Sequence, residues 1–134
     1  MIRKGKYASY KNCEFRFTKI EDDFVELVSN NPTDKKIGFK EYSDNVFIKS
    51  VLLDEIDKLF NIYPYAIYKG EKFPVSQGKN DKVLLDTSNT ELAERFGFKR
   101  TDKYLYSKYV LKDEVEIIED IEPYIRWKLI ENPY

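Results

Sequence analysis

The chain of 134 residues holds no histidine and a single cysteine, Cys13. Ser–His and Cys–His nucleophile pairs need an imidazole to take the proton, and zinc sites draw mostly on imidazole and thiolate ligands. Cys13 has no base beside it in sequence and is expected to be a half-buried thiol. The five glycines stand singly, so no glycine-rich phosphate loop is present. Carboxylates are the remaining catalytic candidates. Glu114, Glu116, Glu119, Asp120 and Glu122 cluster near the C-terminus, and Glu21, Asp22 and Asp23 near the start. General acid–base work needs a carboxylate of perturbed pKa in a cleft. Runs of this kind are read as solvated faces. No enzyme activity, cofactor or metal is expected.

The elements that hold these residues come in duplicate. Tyr7-Ala8-Ser9-Tyr10-Lys11 returns as Tyr65-Ala66-Ile67-Tyr68-Lys69, and Gly38-Phe39-Lys40 as Gly97-Phe98-Lys99. Lys49-x-Val51-Leu52-x-Asp54-Glu55 returns as Lys108-x-Val110-Leu111-x-Asp113-Glu114. The offset is 58 residues early in the unit and 59 later, one residue being gained between Asn31 and Gly38. Repeats decide architecture, so positions shared by both copies are assigned to the fold and positions that differ are free to carry function. The tyrosines sort on this basis. Tyr7, Tyr65 and Tyr124 recur, as do Tyr10 and Tyr68, which favours core or junction roles. Tyr104, Tyr106 and Tyr109 face Asn45, Phe47 and Ser50 in the first copy, and are the better candidates for a surface. Strand alternation is expected to put Tyr104 and Tyr106 on one face and Leu105 on the other.

The second copy reads as a strand at Tyr65–Lys69 with a turn at Lys69-Gly70, then strands at Phe73–Ser76 and Val83–Leu85. Ser88 and Glu91 have the spacing of a capping box for a two-turn helix carrying Leu92 and Phe96 and ending at Gly97. Strands at Tyr104–Val110 and Val115–Ile118 flank a turn at Lys112-Asp113-Glu114. The first copy follows the same order, with an acidic turn at Glu21-Asp22-Asp23, Asn31 capping, Pro32 at the first helical position and Gly38 as the stop. It ends in a tail expected at Ile56–Ile62.

Five short strands and a helical insertion in each unit suit a small closed β-barrel. The order, with Val110-Leu111-Lys112-Asp113-Glu114-Val115 as the turn before the last strand, resembles an SH3-like barrel, and the likeness implies a 3₁₀ turn there. The fold expected is mainly β (α+β): two tandem SH3-like barrels, each with one short inserted helix. The units span residues 1–63 and 64–124, and a tail at 125–134 packs on them. Trp127 in that tail is expected to plug the seam.

Basic and acidic residues balance at 23 against 24. With a pI near 5.7 and no basic stripe, this argues against nucleic acid as a partner. The residual case for it is Arg3, Lys4 and Lys6 beside Tyr7 and Tyr10, whose rings could stack bases. No apolar run has the length of a membrane span and no signal peptide is visible; the lone cysteine fits a reducing cytoplasm. A small histidine-free, aromatic-rich tandem of this build is similar in character to bacterial immunity proteins. The likeness implies a non-catalytic partner of another protein, a toxin domain, whose active site it would occlude. A binding surface of Tyr104, Tyr106, Tyr109, Arg100, Asp102, Glu114, Glu116 and Glu119 is expected, on a monomer or weak homodimer.

Overall fold

A computed structural model describes residues 2–124; the expectations for Trp127 and the 125–134 tail lie outside them. The chain is mainly β, with strands β1 (Gly5–Tyr10), β2 (Cys13–Glu21), β3 (Phe24–Ser29), β4 (Lys40–Ser43), β5 (Val46–Leu52), β6 (Lys58–Tyr68), β7 (Glu71–Gln77), β8 (Lys82–Thr87), β9 (Lys99–Asp102), β10 (Leu105–Leu111) and β11 (Val115–Pro123). The helical insertion is a 3₁₀ segment at Pro32–Ile37 in the first copy and an α-helix, α1, at Thr90–Phe96 in the second. The 3₁₀ turns at Leu53–Glu55 and Lys112–Glu114 fall where the resemblance implied.

Two compact units divide the chain, one of Gly5–Ile62 with residues 121–124, the other of residues 2–4 with Tyr63–Asp120. Each takes its few extra residues from the far end of the sequence. In the first unit the strand order is β4-β5-β3-β2-β1-β6; in the second it is β6-β7-β8-β10-β9; β11 pairs β6 off this path. The order is that of an open antiparallel sheet, not a closed barrel. The tail expected at Ile56–Ile62 and the strand expected at Tyr65–Lys69 run together as one strand, β6, whose residues 58–62 and 63–68 belong to different units.

The hairpin turns follow from residue type. Lys11-Asn12, Asp22-Asp23 and Lys69-Gly70 all have positive φ at both central positions, the primed-turn geometry whose twist matches that of the flanking strands. Each unit has its own core, and the two cores are built from equivalent residues. Ala8, Tyr10, Phe15, Val25, Leu27, Phe39 and Val51 in the first answer to Ala66, Tyr68, Phe73, Val83, Leu85, Phe98 and Val110 in the second. Phe15 meets Phe39 at 5.0 Å between ring centroids, and Phe73 meets Phe98 at the same distance. Recurrence of a large residue is therefore a core signal here, as expected for Tyr10 and Tyr68, both 2% exposed.

Two local expectations change. Asn89, not Ser88, caps α1: its Oδ1 accepts from Leu92 N at 3.1 Å. Asparagine is as good a cap as serine, and starting one residue later leaves Glu91 in the first turn, where the helix dipole favours it. Cys13 is exposed rather than half-buried, because it directly follows the Lys11-Asn12 turn, at the turn end of the β1–β2 hairpin.

Candidate functional site

β10 pairs β8 on one side and β9 on the other, and its alternation sorts the side chains. Val110 points inward and is buried, and Tyr106 packs against the same core. Leu105, Ser107, Tyr109 and Leu111 take the opposite face. Opposite Tyr109 on β8 lies Leu84, and Ser107 stands between Asp86 on β8 and Lys99 on β9. A groove of about 690 Å³ opens on this face, lined by Leu84, Asp86, Lys99, Thr101, Asp102, Leu105, Ser107 and Tyr109 among others.

The floor of the groove is a short hydrogen-bonded relay. Ser107, buried, donates its hydroxyl proton to Asp86 Oδ1 at 2.6 Å. Thr101 Oγ1 lies 3.1 Å from Ser107 Oγ and 3.4 Å from the Leu105 carbonyl. The walls are apolar: Leu84, Leu105 and Tyr109, the last 60% exposed.

The equivalent face of the first copy has the reverse polarity. Val28, Ile48 and Tyr42 stand where Asp86, Ser107 and Thr101 do, and Glu26 and Ser50 where Leu84 and Tyr109 do. The same strands form with either set, so the fold does not require the polar relay. That divergence was visible in the repeat alignment, but only the pairing register shows that the three positions adjoin on one face. Asp86, Ser107 and Thr101 were missed from sequence for this reason.

The sequence-derived candidates separate. Tyr109 and Asp102 line the groove. Tyr104 is 74% exposed in the turn before β10, with the Lys103 ammonium 5.4 Å from its ring centroid. Arg100 shapes that turn, donating through Nε to the Asp102 carbonyl at 3.2 Å and through Nη2 to the Lys103 carbonyl at 2.9 Å. Asp102 Oδ1 accepts from Lys103 N at 2.7 Å. Tyr106 does not share a face with Tyr104: β10 begins at Leu105, the pairing with β9 slips between Leu105 and Tyr106, and Tyr106 packs on the core. Tyr106 is partly buried, and its apolar counterpart Phe47 in the first copy, which is buried, was the available signal.

The acidic candidates sit away from the groove. Glu114 accepts from Leu111 N at 3.2 Å, as Glu55 does from Leu52 N at 3.0 Å, so this carboxylate closes the 3₁₀ turn in both copies. Glu116 is exposed on β11. Glu119 takes a two-pronged contact from Arg3, Nε to Oε2 at 3.1 Å and Nη2 to Oε1 at 2.9 Å; this hydrogen bonding, with Arg3's charge, holds its carboxyl below the usual range against a smaller opposing effect of burial. The basic N-terminal cluster is likewise committed. Lys6 donates to the Thr18 carbonyl, and Tyr7 and Tyr10 are buried, so those rings are not available to stack bases.

Lys108 borders the groove but faces inward. Its Nζ donates to the Phe96 carbonyl at 2.7 Å and to Tyr68 Oη at 3.2 Å, with the Tyr68 ring 5.4 Å away. Lys49 repeats this with the Ile37 carbonyl at 2.6 Å and Tyr10 Oη at 2.8 Å. An ammonium at the C-terminal carbonyls of each helical segment satisfies a group the helix leaves unpaired. Among the described residues, no cluster of three or more carboxylate or thiol side chains is placed to hold a metal ion. Nor is any helix among them long and apolar enough to cross a membrane.

The family described as Uncharacterised conserved protein UCP033725 matches residues 2–126, and the chain belongs to it. No curated protein and no solved structure matches the chain.

Proposed function

We propose that this protein is a non-catalytic module, built on two SH3-like repeats, that binds another protein through the β8–β10–β9 face of its second unit. We infer further that it acts as an immunity protein does, covering the active site of a toxin domain. The observation that carries the reading is the set of exposed large side chains on and beside this face: Tyr104, Leu105, Tyr109 and Leu111. Tyrosine gives large, stiff contact area at low entropic cost, and such rings around a groove suit an interface core. Their counterparts in the first copy are Asn45, Val46, Ser50 and Leu52, so both tyrosines are peculiar to the second copy and not demanded by the repeat.

The test compares wild type with a Tyr104→Ala/Tyr109→Ala double variant. Both are used as bait for the product of a neighbouring toxin-like gene, and in growth rescue when that gene is expressed. The double variant should keep the wild-type melting temperature within a few degrees and bind at least about tenfold more weakly, since two exposed interface rings are each worth about 1–2 kcal/mol. Equal binding by both proteins would remove this face from the interface.

A further inference from the structure

The relay on the groove floor is directional, and its direction specifies the guest. A carboxylate cannot donate, so the Ser107 proton goes to Asp86. The Ser107–Thr101 contact then needs its proton from Thr101, whose hydroxyl otherwise reaches the Leu105 carbonyl among the described residues. In either arrangement both hydroxyl protons are spent inside the relay. What it offers outward is lone pairs: those left on Asp86 and on the hydroxyl oxygens. The two lysines alter this little. Lys108 is engaged with Phe96 and Tyr68, and Lys99 is exposed and forms no ion pair with Asp86 among the described residues. Asp102 Oδ1 is held by its neighbour's backbone N–H. The guest must therefore bring several donors and positive charge, on a stem that suits Leu84 and Leu105 and a plane that suits the Tyr109 ring.

We propose that the groove receives an arginine side chain of the partner protein, its guanidinium forked on Asp86 with the Ser107 and Thr101 oxygens behind, its stem along Leu84 and Leu105, and its plane against Tyr109. Arginine meets each requirement at once: five donors in a rigid fork, permanent charge, weak hydration and a face that stacks on aromatic rings. A primary ammonium supplies the charge but not the fork or the plane. A neutral amide has fewer donors and brings an acceptor for which the relay has no proton. This inference rests on the protein-binding reading of the same face and names the residue that anchors it.

The experiment titrates the full chain with N-acetyl-arginine-N-methylamide and follows backbone amide shifts by NMR, beside the matched citrulline and lysine compounds. A guest of this size at typical ligand efficiency binds with Kd on the order of 1 mM. Saturable shifts at Asp86, Ser107 and Tyr109, at least about tenfold stronger for arginine than for citrulline, are expected because citrulline keeps the shape and loses the charge. Asp86→Asn should abolish them. So should the triple variant D86V/T101Y/S107I, which installs the residues the first copy carries on the same strands and so keeps a control for folding. Lys99→Gln should tighten arginine binding about twofold or more by removing a like charge; weakened binding would mean that the guest presents an acceptor, and would overturn the proposal. Equal shifts from arginine and citrulline, or arginine shifts centred elsewhere, would overturn it also. A partner bound through Tyr104 and Tyr109 but indifferent to D86N would sink the arginine anchor and leave the protein-binding face standing.

Discussion

Replacing Lys108 by methionine isolates what the inward-facing ammonium contributes. Methionine keeps most of the apolar stem and removes the charge. The Nζ contacts with the Phe96 carbonyl at 2.7 Å and Tyr68 Oη at 3.2 Å are lost, together with the ring contact at 5.4 Å. A charge-assisted hydrogen bond is worth roughly 1.5–3 kcal/mol and a partly exposed cation–π contact about 0.5–1 kcal/mol. Against this, the variant no longer desolvates an ammonium, so a net loss of about 2 kcal/mol is expected. In urea, with a slope of about 2 kcal/mol per M for a chain of this size, the midpoint should fall by about 1 M. Lys49→Met should cost at least as much, its contacts being 2.6 and 2.8 Å. Tyr68→Phe should cost less than about 1 kcal/mol, because the Phe96 carbonyl keeps its partner. Losses below about 0.5 kcal/mol in both lysine variants, or a Tyr68→Phe loss equal to that of Lys108→Met, would refute the view that these ammonium groups serve the helix-end carbonyls.

The Arg3–Glu119 pair makes stability depend on pH with a definite sign. The Glu119 carboxyl is lowered in the folded state, so the pair stabilises fully above the ordinary carboxylate pKa and loses its effect as pH falls through the folded value. The stability difference between wild type and Glu119→Gln should be about 0.5–1 kcal/mol at pH 7, discounted because both side chains are about one-third exposed, and should vanish in acid and shrink in 1 M salt. Gly38→Ala should cost more than Gly97→Ala, about 2 against 1 kcal/mol by urea denaturation. Both sit at positive φ, but Gly38 is at 99° and a Cβ there would come within 3.1 Å of the Lys49 side chain. Phe73→Ala, which empties a site 0% exposed, should cost about 3–5 kcal/mol and is measured the same way.

Much of the scaffold was legible because the chain states it twice. Tyr10 with Tyr68, Phe15 with Phe73 and Phe39 with Phe98 recur, and all are buried; Gly38 and Gly97 recur, and both adopt the left-handed conformation that ends a helical segment. Recurrence is a one-dimensional signal, and turn geometry and core composition are set locally enough to appear in it. Face assignment was less secure. The alternation that groups Tyr104 with Tyr106 holds only inside a strand, and Tyr104 lies in the preceding turn. The strand's starting point depends on pairing with β9, where the register slips.

The sequence by itself determined the duplicated elements, the two equivalent cores and the absence of imidazole chemistry, because residue types and local periodicity suffice for each. Only the tertiary structure decided which ends complete which unit, that the strand path stays open, and that Asp86, Thr101 and Ser107 meet on one groove floor. Those three residues come from three strands as much as 21 positions apart. Their proximity is a product of cross-strand register, which hydrogen bonding across the sheet sets and no local pattern records.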